Sequence, residues 1–286
     1  MTTRNVKLRL GAMAVSEGAG VTVHRTIGTP GLRQFDPFLM LDHFSSDDPD
    51  EYIAGFPDHP HRGFVTFTYM IDGHMLHRDS MGNRGDLKSG GAQWMKAASG
   101  VIHSEMPQQS EGLMRGFQLW INLPADQKMT DPAYQEFGPS AFPVVEEAGR
   151  RVKVLIGEYA GVRGPVDDPN TRVLYLDAEL APGAVFIQAL PAGHAGFVYC
   201  FEGDARLGDT PLRRHEMAVL GESGETVEVT AGEQGARFIL VAGRPLGEPV
   251  VQYGPFVMNT REEIERAFAD YRDGRLVRTR ATGLSP

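Results

Sequence analysis

Two short pairs of residues carry the chemistry most readily read from this chain: His59 and His61 in His59-Pro60-His61, and His103 and Glu105 in His103-Ser104-Glu105. On a β-strand, residues two apart project to the same side, so each pair presents two ligand atoms to one side. Two such pairs on neighbouring strands would bring three imidazoles and a carboxylate to a single point. That set suits a borderline divalent ion: Fe(II), Mn(II), Co(II), Ni(II) or Zn(II). In an octahedron it leaves two positions open, as a site that binds substrate or O2 requires. A lone H-x-H is weak evidence, because strands without metals contain it too. The matching H-x-E, after a Gly-rich and strand-rich interval, is what makes the pattern informative.

Other polar residues have plainer readings. His74 and His77, in GHMLHRDSMGN, lie near a predicted strand end and read as exposed hairpin histidines, with the mouth of a cavity as the alternative. Gln93 and Met95 alternate with Trp94 just before the second pair; they could contact substrate, although core packing accounts for Met95 equally well. Asp58 stands next to His59 and could orient an imidazole from outside the ligand set. In the second half, His194, His215, Cys200 and Glu202 form no such pairs, so no metal is expected there. Cys200 sits in the apolar run GFVYCF and reads as inert packing. Neither GxSxG nor a P-loop occurs, which removes serine-hydrolase and nucleotide-binding readings.

The elements that must position these residues are mostly strands. Over residues 65–71, Val65, Phe67, Tyr69 and Ile71 alternate with Thr66, Thr68 and Met70, the two-residue period of a strand. Similar runs cover 117–123, 152–159, 172–180, 184–190 and 196–202, and again 226–230, 236–242 and 250–257. Gly, Pro, Asn and Asp clusters separate them, so sandwiches or barrels are expected rather than alternating β and α units. One helix is predicted after Thr260. Thr260 and Glu263 form a capping box, Ile264, Ala267, Phe268 and Tyr271 make an apolar stripe, and Gly274 ends it. It is expected against the C-terminal barrel. Strand periodicity stops over 124–143, which places a metal-binding domain at 1–133, a linker at 134–143 and a metal-free domain at 144–286.

The length of 286 residues accords with roughly two domains. A net charge of -9 with no clustered Lys and Arg argues against direct nucleic-acid binding. Cys200 is the only cysteine, so no intrachain disulfide can form, which fits a reducing compartment. No apolar run reaches the roughly 20 residues of a membrane span, and the N-terminus has no signal-peptide h-region. A cytoplasmic location is expected.

The runs DPFLMLDHF, GFPDHPHRGF, AQWMKAASGVIHSEMP, RGFQLWINLP and PFVMNTREEIERAFADY, spread over residues 36–271, resemble the signature segments of pirins, a family of bicupins. The resemblance implies an all-β chain of two cupin barrels with the metal in the N-terminal one. His59, His61, His103 and Glu105 would be its ligands. It implies one mononuclear ion, iron(II) first, with Mn, Ni, Co, Cu or Zn as alternatives. Several bacterial pirins open the flavonol ring of quercetin with O2, and eukaryotic members are nuclear cofactors of transcription factors. A flavonol dioxygenase is thus the leading expectation, with Glu105 accepting the enol proton. The alternative is a metal-dependent regulator with a protein partner, and a zinc hydrolase is weaker for want of a separate base. One departure stands out. Pirins commonly carry Glu four residues after the second ligand histidine, where this chain has Val65, and alternation counted from His61 points Val65 inward.

Overall fold

The alternation over residues 65–71 becomes Phe64–Asp72, an inner strand of a seven-stranded sheet. The molecule is described from a computed structural model, which covers residues 2–278. Across that sheet the strands run Ala133–Phe137, Ala92–Lys96, Phe64–Asp72, Met114–Asn122, Phe38–Ser46, Val21–Arg25 and Met13–Glu17. A four-stranded sheet, in the order Phe56–His61, Val101–Pro107, His74–Asp79 and Arg84–Lys88, belongs to the same unit. Val23, Phe44, Met70 and Met114 from the first sheet share an apolar cluster with Met75 and Leu87 from the second. The interior faces thus close into a barrel around buried side chains, which removes most free edges.

The other unit is built on a nine-stranded sheet whose long members are Ala195–Leu207 and Thr226–Gly243. Its interior is filled by Val152, Leu176, Phe186, Val198, Phe238 and Leu240. The two strands expected at 226–230 and 236–242 run on as one, through Gly235 at φ +80°. The single strand expected over 250–257 is instead a hairpin, Val251–Tyr253 with Phe256–Met258, turned at Gly254, whose φ of +56° favours glycine. The fold is the all-β pair of cupin barrels with one C-terminal helix. No helix among the described residues is long and apolar enough to cross a membrane.

Domain membership departs from the sequential division 1–133, 134–143 and 144–286. One compact unit comprises residues 14–28, 38–139 and 246–278, and the other comprises 2–13, 29–37 and 140–245. The reason is hydrogen-bond pairing. Val6–Gly11 pairs with Glu216–Leu220, and Ala133–Phe137, of which residues 134–137 were expected in a linker, pairs with Ala92–Lys96.

The helix Arg261–Arg272 has the expected capping box, with Thr260 Oγ1 accepting from Glu263 N and Glu263 Oε2 accepting from Thr260 N. It packs on the first-half barrel, not the second. Ile264 and Ala267 bury against Phe256, Met258 and Leu276, with Ile102 and Met129 alongside. Ile102 lies on the strand that carries His103. Tyr271, counted in the apolar stripe, is 41% exposed.

Candidate metal centre

The two pairs of the sequence lie on adjacent strands. Phe56–His61 pairs antiparallel with Val101–Pro107, and His59 stands directly opposite His103. The ring centroids of His59, His61 and His103 lie 4.3 to 5.0 Å apart. One nitrogen from each ring falls within 4.8 Å of the other two.

The remaining nitrogens are held in place. His59 Nδ1 donates to Pro57 O at 2.8 Å, and His61 Nδ1 lies 3.4 Å from Pro255 O. His103 Nδ1 meets His77 Nδ1 at 3.4 Å, and His77 Nε2 lies 3.2 Å from Asp79 Oδ2. The assignment that satisfies every group has His103 Nδ1–H donating to His77 and His77 Nε2–H donating to Asp79. Hydrogen bonds from His77 and Asn83 hold the Asp79 carboxyl below its ordinary value, against the burial that would raise it. That leaves His103 Nε2 buried with no hydrogen-bond partner among the described residues. Burial, and then the neighbouring imidazoles, push His61 and His103 well below the ordinary histidine value. Both therefore keep the neutral lone pair that a metal ligand needs. Three convergent imidazoles, two of them held neutral by burial, and an orphaned buried nitrogen fit a transition ion.

Glu105 is 3% exposed and lines the same cavity as His59 and His61. Its carboxylate is not within 4.8 Å of all three imidazole nitrogens. The register shifts between His103 and Glu105, and Glu105 stands opposite Phe56 rather than continuing the pairing of His103 with His59. Two amides hold its carboxylate: Gln93 Nε2 donates to Oε1, and Gln118 Nε2 donates to Oε2 at 3.1 Å. Thr68 Oγ1 lies 3.1 Å from Glu105 Oε1 and 2.6 Å from Gln118 Oε1, and its single proton serves one of these two acceptors at a time. Tyr134 donates to Gln93 Oε1 at 3.1 Å and stacks on His77. Burial and the carboxylates of Glu136 and Glu105 raise the Tyr134 phenol, so it stays a donor.

Val65 does not line the cavity. The strand ends at His61, and Gly63 at φ +93° intervenes before Phe64 starts the next one, so parity counted from His61 does not carry across. Thr68 reaches Glu105, and Val65, three residues earlier, belongs to the opposite face. His77 is buried beside His103 rather than exposed on a hairpin, because His74–Asp79 is an inner strand of the four-stranded sheet. Its signal was the spacing of His77 and Asp79, two apart and hence on one side. The rings of His59 and His61 are oriented by carbonyls and not by Asp58, which lines the cavity. Gln93 is a contact of Glu105, and Met95 is core. Gln118, Thr68 and Pro255 were not singled out in the sequence. In the other unit Cys200 is packed among apolar side chains, and burial pushes its thiol up to about 12.

Residues 20–121 match the family described as Pirin, and residues 175–277 match the Pirin C-terminal cupin domain. The chain belongs to the pirin family. The protein named Pirin from Homo sapiens is 42% identical, over 96% of this chain and 94% of its own. A Pseudomonas aeruginosa protein provisionally named a quercetin 2,3-dioxygenase is 51% identical, over 91% of this chain and 93% of its own. Among solved structures, a quercetin 2,3-dioxygenase from Acinetobacter baumannii superposes with a TM-score of 0.89 at 32% identity, covering 97% of this chain and 99% of that one. In this pirin His59 and His61 open onto a cavity of about 710 Å³. Its walls are apolar at Met40, Phe44, Phe56, Met75 and Trp120, with Trp120 edge-on to His61 at 5.0 Å.

Proposed function

We propose that the chain is a metal-dependent dioxygenase of flavonols, with His59, His61, His103 and Glu105 as the ligand set. The observation that carries the reading is the buried, unpartnered Nε2 of His103 beside two further imidazoles at the wall of a cavity large enough for a small aromatic molecule. The relatives named for quercetin cleavage support the substrate class. When bound, iron(II) or another divalent transition ion supplies a Lewis-acidic, redox-capable centre.

The residues do the rest. The three imidazoles arrive aimed by their outer hydrogen bonds, with His61 and His103 held neutral, so little reorganisation accompanies binding. Glu105 accepts the proton of the substrate's enolic hydroxyl, which raises the electron density available for reaction with O2. Gln93 and Gln118 fix where that carboxylate points, and Tyr134 fixes Gln93 in turn. Met40, Phe44 and Trp120 present apolar surface to the aromatic rings and keep water from the reacting atoms.

Metal analysis of protein purified without added metal, paired with O2 uptake on quercetin, tests the reading. About one ion per chain and steady O2 consumption are expected. Glu105→Gln, compared at matched metal content, should turn over at least about 100-fold more slowly. Parent-like turnover in that variant would remove Glu105 as the base. No uptake by iron-loaded protein across several flavonols would replace the enzyme with a regulator.

A further inference from the structure

Five side chains stand in one transverse row across the seven-stranded sheet. Arg25 is opposite Asp42, Asp42 opposite Gln118, Gln118 opposite Thr68, and Thr68 opposite Gln93. Directly opposed residues share a face, so all five point the same way. The rows on either side are mainly apolar. Val23, Phe44, Gly116 and Met70 form one, and Met40, Trp120, Thr66 and Met95 form the other. A polar track therefore crosses the barrel's inner face between two apolar rails.

Half of that track serves Glu105, through Gln118, Thr68 and Gln93. The other half does not. Arg25 donates to Asp42 through Nε at 2.7 Å and Nη2 at 2.6 Å, and Nη2 also lies 2.7 Å from Glu17 Oε1. A buried ion pair of this kind is weak evidence for stability, because desolvation offsets its attraction. Its spare valences are what matter. Arg25 Nη1 makes no hydrogen bond among the described residues, and the Glu17 side chain is 37% exposed. Arg25, Asp42 and Glu17 all line the cavity. Arg25 lies two strand spacings from Gln118, on the order of 10 Å. Two linked aromatic rings reach about that far from Glu105.

We propose that Arg25, clamped by Asp42 and flanked by Glu17, is a distal recognition subsite that selects aromatic substrates carrying neutral hydroxyl groups on the ring remote from Glu105. The inference rests on the flavonol reading of the cavity and deepens it. A hydroxyl there accepts from Arg25 Nη1 and donates to Glu17, and two adjacent hydroxyls use both at once. One cation against two carboxylates leaves the subsite net negative. A carboxylate or sulfate at that end of the substrate is therefore repelled.

Trp120 lines the cavity and supplies a fluorescence signal for the test. Metal-loaded protein is titrated without O2 with quercetin, with 3,5,7-trihydroxyflavone, which lacks hydroxyls on the remote ring, and with a flavonol carrying a carboxylate on that ring. The parent should bind quercetin about 10- to 100-fold more tightly than either analogue, as for a hydrogen bond to a charged group. Glu17→Gln should narrow the gap, and Glu17→Lys should turn preference toward the carboxylate, which a purely structural ion pair would not do. Arg25→Met alone strands Asp42 in the interior. The double variant Arg25→Met with Asp42→Leu keeps the barrel packed and should abolish the preference. Equal affinities in the parent, or an unchanged ratio in Glu17→Gln and the double variant, would overturn the subsite even if quercetin is turned over. A retained preference without O2 uptake would uphold the subsite while the dioxygenase reading falls.

Discussion

His103 holds one nitrogen in a hydrogen-bonded chain that ends on a carboxylate and leaves the other buried without a partner among the described residues. Nδ1 meets His77 at 3.4 Å, and His77 meets Asp79 at 3.2 Å. A carboxylate behind a ligand histidine fixes its tautomer and makes it a better donor. Here one imidazole is interposed. Asp79→Asn should weaken metal affinity by about 10- to 100-fold. Chelator competition measures this, and an unchanged constant would show that His103 needs no such support. The same buried rings set a pH dependence. Burial holds His61 and His103 well below 6.5. The unfolded chain therefore takes up protons that the folded chain refuses as pH falls through about 6.5. Their contribution to metal-free stability is complete above that value and declines below it. Urea midpoints at about pH 5.5 and 7.5 should differ in that sense, and the difference should shrink in His103→Gln. A gap equally large in the variant would assign it to other groups.

Among elements, the C-terminal helix takes a place that alters an expectation. Its capping box was legible as Thr260 and Glu263 three residues apart, a local signal. Which barrel it covers was not, because an apolar stripe states only that a partner exists. The structure joins it to the end of the strand that carries His59 and His61. Arg62, next to His61 and 1% exposed, donates from Nη1 to Asp270 on the helix at 2.9 Å and from Nε to Ser99 O at 2.7 Å. Asp270→Asn weakens a hydrogen bond to a buried guanidinium and should cost about 1.5–3 kcal/mol. Metal retention should drop with it, since Arg62 adjoins His61. An unchanged urea midpoint would mean that Ser99 and solvent suffice for Arg62.

Taken whole, the molecule cannot be cut where strand periodicity lapses. Pro255 O orients His61, and Val257 O with Gly63 O and Asn122 accepts from the buried Lys128 ammonium. Those acceptors come from both ends of one unit's sequence, 38–139 and 246–278. A chain ending at Pro245 should therefore lose its metal and expose the Lys128 pocket. Metal analysis and hydrogen exchange on that truncation check the point, and a fully metallated, protected product would refute it. The sequence by itself determined what depends on neighbours along the chain: the strand period, the helix cap, and the two-residue spacing that sets His59 with His61 and His103 with Glu105 on common sides. Tertiary structure decided what depends on register and pairing between distant segments. It turned Val65 away from the cavity, because Gly63 breaks the parity of alternation. It buried His77, because an inner strand has neighbours on both edges. It also aligned Arg25, Asp42, Gln118, Thr68 and Gln93, since only hydrogen-bond register between strands can set residues so far apart in sequence side by side.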